Sequence, residues 1–136
     1  MNQPLLQQEV EWFTDLFRGV IEGNNVVIVG ESNGKAVGLS DVRPMRAGTE
    51  QAHIGVLGIT VRKEHRGKGI GKAMMTEAIR RCREKFEVIR LGVLESNLRA
   101  IRLYEGLGLV RYGTFPHFVK RGETYLGKVL KYLNLK

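Results

Sequence analysis

Six residues, Arg66-Gly67-Lys68-Gly69-Ile70-Gly71, constrain this chain most strongly. Before them, residues 52–62 form an apolar run that places Leu57, Ile59 and Val61 on one face of a strand. After them, Ile70, Met74, Ala78 and Cys82 recur at every fourth position, which predicts a helix from Gly69 to Lys85. A strand entering a helix through three glycines leaves the first N–H groups of that helix without intrahelical partners, and this is a ready anion site. Glycines let the backbone approach a phosphate with no Cβ in the way, and Lys68 and Lys72 add positive charge beside it. The local chemistry is that of a pyrophosphate cradle. It is not a P-loop: only three residues separate Gly67 from Gly71, and Ala73 stands where a Mg²⁺-binding hydroxyl is required. Nor is it a dinucleotide fingerprint. Counted from Gly67 the third glycine comes one position early, and counted from Gly69 it is Met74.

The rest of the chain supplies the sheet that such a turn needs. Leu6, Val10, Phe13, Phe17 and Val20 make one apolar stripe of a helix over residues 3–22, ended by Gly23-Asn24-Asn25. Val26 to Val29 and Ala36 to Val42 read as strands joined by Ser32-Asn33-Gly34-Lys35, whose Asn-Gly pair is a strong hairpin signal. Pro44 and Gly48 mark a loop. Residues 86–94 read as a strand and Asn97 to Leu107 as a short helix closed by Gly106 or Gly108. Leu109 to Phe115 and Thr124 to Leu133 read as two last strands, with Pro116 and Arg121-Gly122 in the loop between them. Hairpins mixed with helical crossovers predict an α+β fold: a mixed, mostly antiparallel sheet flanked by helices.

With 136 residues, one domain over 1–136 is expected, and it needs no metal or disulfide to hold it. The single cysteine, Cys82, excludes an internal disulfide and a cysteine-based metal site, and it suits a reducing compartment. Its place on the apolar stripe marks it as inert core. Neither a membrane-spanning run nor a signal peptide is visible, so a soluble cytoplasmic protein with no membrane partner is expected. The net charge of +8 is concentrated: from Arg62 to Lys85 nine basic residues face three acidic ones. Such a field attracts a polyanion or is simply a solvated helix face. No recognition-helix motif or aromatic stacking platform accompanies it, so nucleic acid is not the expected partner.

Two blocks resemble the Gcn5-related N-acetyltransferase superfamily. Residues 58–73, Gly-Ile-Thr-Val-Arg-Lys-Glu-His-Arg-Gly-Lys-Gly-Ile-Gly-Lys-Ala, are similar to its acetyl-CoA motif, R/Q-x-x-G-x-G/A after a strand. Residues 95–109, Glu-Ser-Asn-Leu-Arg-Ala-Ile-Arg-Leu-Tyr-Glu-Gly-Leu-Gly-Leu, are similar to its later N-x-x-A-x-x-x-Y-x-x-x-G-F/L block. The resemblance covers about residues 26–133. The chain departs from it at the start, where a helical pattern stands in place of the family's first strand.

The resemblance implies the acyl-CoA N-acyltransferase fold and acetyl transfer from acetyl-CoA, as co-substrate, to a primary amine, with no metal. Main-chain N–H groups of Arg66, Gly67, Lys68, Gly69, Ile70 and Gly71, with Lys72 at the helix start, would hold the pyrophosphate. Ile59 and Val61 would pair with the pantetheine arm, and Asn97 would contact it. Tyr104 would return a proton to the departing thiolate. Asn97 and Tyr104 stand seven residues apart, so a helix turns both to one groove. Each has a plainer use: Asn97 as an N-cap, Tyr104 as a core aromatic with a surface hydroxyl.

The attacking amine must lose a proton, and many relatives carry a Glu for this on the strand before the glycine turn. Here that strand has no acid, which leaves His53, Glu50, His117 or a water as the base. His53 shares the Leu57 face if the strand has no bulge. His65 reads as surface. Phe115, Phe118 and Tyr125 either wall an acceptor pocket or pack as ordinary strand residues, and the net charge disfavours a polyamine acceptor. A homodimer is compatible with the sequence. The competing readings are a catalytically silent acyl-CoA-binding module and a basic nucleic-acid-binding protein, the second marked by steep salt dependence.

Overall fold

The computed structural model describes residues 23–136. The helix expected over residues 3–22 lies outside the described residues. Six strands and two helices follow: β1 (Val26–Ser32), β2 (Lys35–Pro44), β3 (Ile54–Val61), α1 (Ile70–Cys82), β4 (Val88–Leu94), α2 (Leu98–Gly106), β5 (Val110–Arg121) and β6 (Thr124–Asn134). A short 3-10 helix, Lys63–His65, leads into the glycine turn. The strands form one sheet in the order β1-β2-β3-β4-β6-β5. Every neighbouring pair is antiparallel except β3 and β4, which is the mixed sheet the connections require.

Local chemistry accounts for the elements. Asn33 and Gly34 both take positive φ, 51° and 77°, as the tight turn between β1 and β2 demands. Gly69 caps α1 in the left-handed region with φ 82°, and Asn97 caps α2 by accepting from Ala100 N at 3.2 Å. The Met74, Ala78 and Cys82 stripe of α1 is buried, joined by Met75 and Ile79, while Ile70 is only half-buried. On one face of the sheet Gly30 and Gly38 give α1 its seat: a Cβ there would stand 2.9 Å and 2.7 Å from the Met74 side chain. The core continues through Val42, Leu57, Ile89, Leu91, Val93, Tyr104 and Val129. Strand alternation therefore turns Arg90, Gly92 and Lys128 to the other face.

The structure corrects several boundaries: β1 runs on from Val29 to Ser32, and Pro44, expected in a loop, ends β2. α1 ends at Cys82, three residues early, because the chain turns there to bury Phe86, whose N–H donates to Cys82 O at 2.8 Å. The stretch expected as a loop around Pro116 is part of β5. Phe115 pairs with Lys128 and Val119 with Leu126, so a bulge absorbs Pro116, His117 and Phe118, with His117 at φ 53°. Proline lacks the donor a ladder needs, but β5 is an edge strand, and a bulge on an edge tolerates it. Among the described residues no helix is long and apolar enough to cross a membrane.

Candidate cofactor cleft and acceptor rim

β3 and β4 separate almost as soon as they meet. Their parallel pairing covers only Ile54–Val56 against Val88–Arg90, yet β3 runs on to Val61 and β4 to Leu94. The hydrogen bonds on either side show which groups face the gap. Met45 N donates to Ile54 O at 2.7 Å and Arg62 N to Val37 O at 2.8 Å. Bonded and non-bonded pairs alternate in an antiparallel ladder. Even-numbered residues of β3 thus bond to β2, and Ile59 and Val61 turn their main-chain groups toward β4. By the same rule Glu95 N to Gly127 O, at 2.9 Å, and Leu135 N to Glu87 O, at 2.8 Å, commit the odd-numbered residues of β4 to β6. Gly92 and Leu94 therefore face β3. Two strand edges confront each other across the gap; Val61 O already accepts from Arg66 Nε and Leu94 O from Asn97 N, and the other main-chain donors and acceptors facing it call for partners.

The glycine turn stands at the open end of this gap. The N–H groups from Gly67 to Lys72 precede the first intrahelical bond of α1, Ala73 N to Gly69 O at 3.0 Å. Arg66 departs from the sequence expectation: its N–H is already given to Lys63 O at 3.3 Å, and its Nε donates to Val61 O at 3.0 Å. Arg66 thus braces the turn against β3, which leaves residues 67–72 as the stretch whose donors precede the helix. Gly67 and Gly69, at φ 79° and 82°, aim the chain as no other residue does without strain. Gly71 brings α1 against Ile59, Val61 and Leu103, each within 4 Å of where its Cβ would be. Lys68 and Lys72 are exposed beside the turn. The donor set and the absence of Cβ atoms fit a pyrophosphate.

Arg99 was not singled out in the sequence. It lies in the first turn of α2, and its Nη1 stands 3.3 Å from where a Cβ on Gly67 would be. A signal existed: a basic residue in a first helical turn that contains no acid opposes the helix dipole.

Tyr104 is buried in α2, and burial pushes its hydroxyl pKa above the usual value, so it keeps its proton at neutral pH. The structure brings the cradle, Ile59, Val61, Asn97 and α2 together. It does not bring His53 to them. His53 is exposed just before β3, at the closed end of the gap, where its carbonyl accepts from Glu87 N at 2.9 Å. His53 itself lies one residue before β3, whose register from Gly55 to Val61 has no bulge. The eight residues of β3 nevertheless separate His53 from the glycine turn by about 26 Å. Glu50 lies in the loop before the same end. Both therefore lie at the end of β3 away from the glycine turn. His117 is exposed on the β5 bulge with its ring 4.6 Å from that of Tyr125.

That bulge carries an exposed aromatic and basic rim. Phe115 and Phe118 meet edge to face at 5.5 Å, and Lys120 Nζ stands 5.6 Å from the Tyr125 ring. Lys128 Nζ stands 4.4 Å from the centre of Phe118. Among the described residues no group of three or more metal-ligating side chains occurs.

Comparisons with known proteins agree with this geometry. The profile of the "Acetyltransferase (GNAT) family" matches residues 3–109. A mouse protein, N-acetyltransferase family 8 member 3, is 30% identical over 115 residues, covering 79% of this chain and 47% of that protein. The chain therefore spans about half the length of the curated relatives it matches. Among solved structures, a ribosomal-protein-alanine N-acetyltransferase from Brucella melitensis superposes with a TM-score of 0.83 at 26% identity, covering 95% of this chain and 78% of that one. A Salmonella typhimurium protein described as an acetyltransferase, solved with its cofactor acetyl-CoA, superposes with a TM-score of 0.82 at 23% identity, covering 96% of this chain and 73% of that one. This last likeness is one of fold. A profile match of that extent, on a sheet split where the sequence resemblance locates its cofactor, makes the chain a member of the acetyltransferase (GNAT) family.

Proposed function

We propose that this protein transfers an acetyl group from acetyl-CoA to a primary amine of a small molecule or peptide, directly, with both substrates bound at once. The observation that carries this reading is the gap between β3 and β4, open beside a glycine turn built for phosphate. Bound acetyl-CoA would supply an activated acyl carbon and a thiolate leaving group. The N–H groups of Gly67 to Lys72 hold its pyrophosphate. Ile59 and Val61 orient the arm through their main chain, Asn97 orders the start of α2, and a main-chain N–H facing the gap polarises the acyl oxygen. Tyr104 holds the proton that the thiolate takes. The amine gives its own proton to water, to His117 at the rim, or to His53 or Glu50 at the closed end of the gap. Partnership with a second copy and a cytoplasmic location belong to the same proposal; sedimentation and fractionation test them.

The absence of a carboxylate on β3 favours one second reading, a silent acyl-CoA-binding module. Thermal unfolding with acetyl-CoA, combined with thiol release over an amine panel, decides between them. A ligand bound only by the folded state at about 100 times its Kd adds about 2.7 kcal/mol. Wild type and Tyr104→Phe should both gain stability with acetyl-CoA, Gly69→Glu should not, and only wild type should release thiol at full rate. A stabilised wild type that acetylates no amine selects the silent module.

A further inference from the structure

The rim holds a cation where a lysine would ordinarily reach into water. Lys128 is on β6, on the face away from α1, opposite Leu94 of β4. A Cβ on Gly92 would stand 1.9 Å from Lys128 Cε and 3.0 Å from its Nζ. The lysine stem therefore lies flat across Gly92, in the volume that any other residue at 92 would fill. Gly92 is one of the two β4 residues whose main chain faces the gap, so the ammonium is brought to the edge of the cleft. Phe118 holds it there from above, at 4.4 Å. Long basic side chains usually send their charge outward to solvent.

No carboxylate of the described residues answers this charge. Glu95, the acid nearest along β4, gives its carboxylate to Gly127 N at 2.8 Å. The only acid on the β5–β6 hairpin before Lys128 is Glu123, in the turn. Beside the ammonium Phe115 and Phe118 leave 56% and 47% of their surface exposed. A fixed cation next to an exposed apolar rim fits an anion attached to an apolar group.

We infer that Lys128 selects the acceptor: the amine this protein acetylates carries a carboxylate, read by the Lys128 ammonium, and an apolar side chain, seated on Phe115 and Phe118. This rests on the acetyl-transfer reading above. It deepens that reading by naming the substrate class as apolar α-amino acids or compounds built like them. Diamines and polyamines are disfavoured because their second cation meets Lys128.

Three matched pairs of probes differ chiefly in the carboxylate: phenylalanine and 2-phenylethylamine, leucine and isoamylamine, tryptophan and tryptamine. Thiol release at saturating acetyl-CoA should give kcat/KM at least tenfold higher for the amino acid of a pair. Lys128→Met keeps the stem and removes the charge. It should bring the ratio close to one by raising KM for the amino acid, with kcat for the plain amine unchanged, and Lys128→Arg should restore the preference. Equal use of both members by wild type overturns the inference, as does a ratio that Lys128→Met leaves intact. So does turnover of none of the six while acetyl-CoA still raises the unfolding midpoint. Acetylation of Lys128 itself by acetyl-CoA alone, seen by mass spectrometry, also overturns it, because the lysine is then the acceptor. Loss of the acetyl-CoA shift in wild type is a different failure, that of the cofactor reading, and this inference falls with it.

Discussion

Cys82 sits fully buried in the last turn of α1, and burial, opposed weakly by Lys85, pushes its thiol up to about 11 from an ordinary value of 9.0. The folded state thus keeps a proton that the unfolded chain loses first. Stability from this thiol is complete below pH 9 and is lost as pH rises toward 11, by about 2–3 kcal/mol. Denaturant unfolding at stepped pH should show this fall, and Cys82→Ser should flatten it. At neutral pH the thiol stays protonated, which agrees with the inert role the sequence suggested. Other single residues were less legible. Asn97 could be read as a cap from its residue type, and the structure shows it as one. His53 was read as part of the strand, and β3 begins one residue after it, at Ile54. Arg99 and Lys128 gain meaning only from Gly67 and Gly92, which lie 32 and 36 positions away in sequence.

At the scale of elements, capping turns a residue type into a boundary. Asn97→Ala removes the acceptor for Ala100 N and should cost about 1 kcal/mol of stability, read as a lower denaturant midpoint at an unchanged slope. The β1–β2 hairpin and the strand-turn-helix unit were legible because their signals are local: Asn33-Gly34 for one, three glycines and a four-residue apolar repeat for the other. β5 was not, because Pro116 is a local stop signal that only a tertiary fact cancels. β5 lies at the sheet edge, and its bulge needs no ladder donor from a proline. The separation of β3 from β4 left no trace in composition or periodicity. Both strands carry the apolar alternation of paired neighbours, although they pair only over Ile54–Val56 and Val88–Arg90. The glycine turn was therefore readable from sequence and the gap beside it was not.

For the molecule as a whole, the sheet order divides into β1-β2-β3 and β4-β6-β5, two three-stranded leaves sharing one apolar core. The spine between them is three residue pairs long. A ligand arm laid along that gap would act as a seventh strand and bind the leaves into one cooperative unit. Hydrogen exchange would record this as an alternating pattern. Amides of Ile59, Val61, Gly92 and Leu94 should slow when acetyl-CoA is added, by more than those of Gly58, Thr60, Leu91 and Val93, which already serve the outer ladders. Equal slowing at both sets would mean that the ligand stabilises the fold without pairing to its edges. Selective slowing at the first set would make the protein a book completed by its reader, its opening short-spined because the missing stitches belong to the substrate.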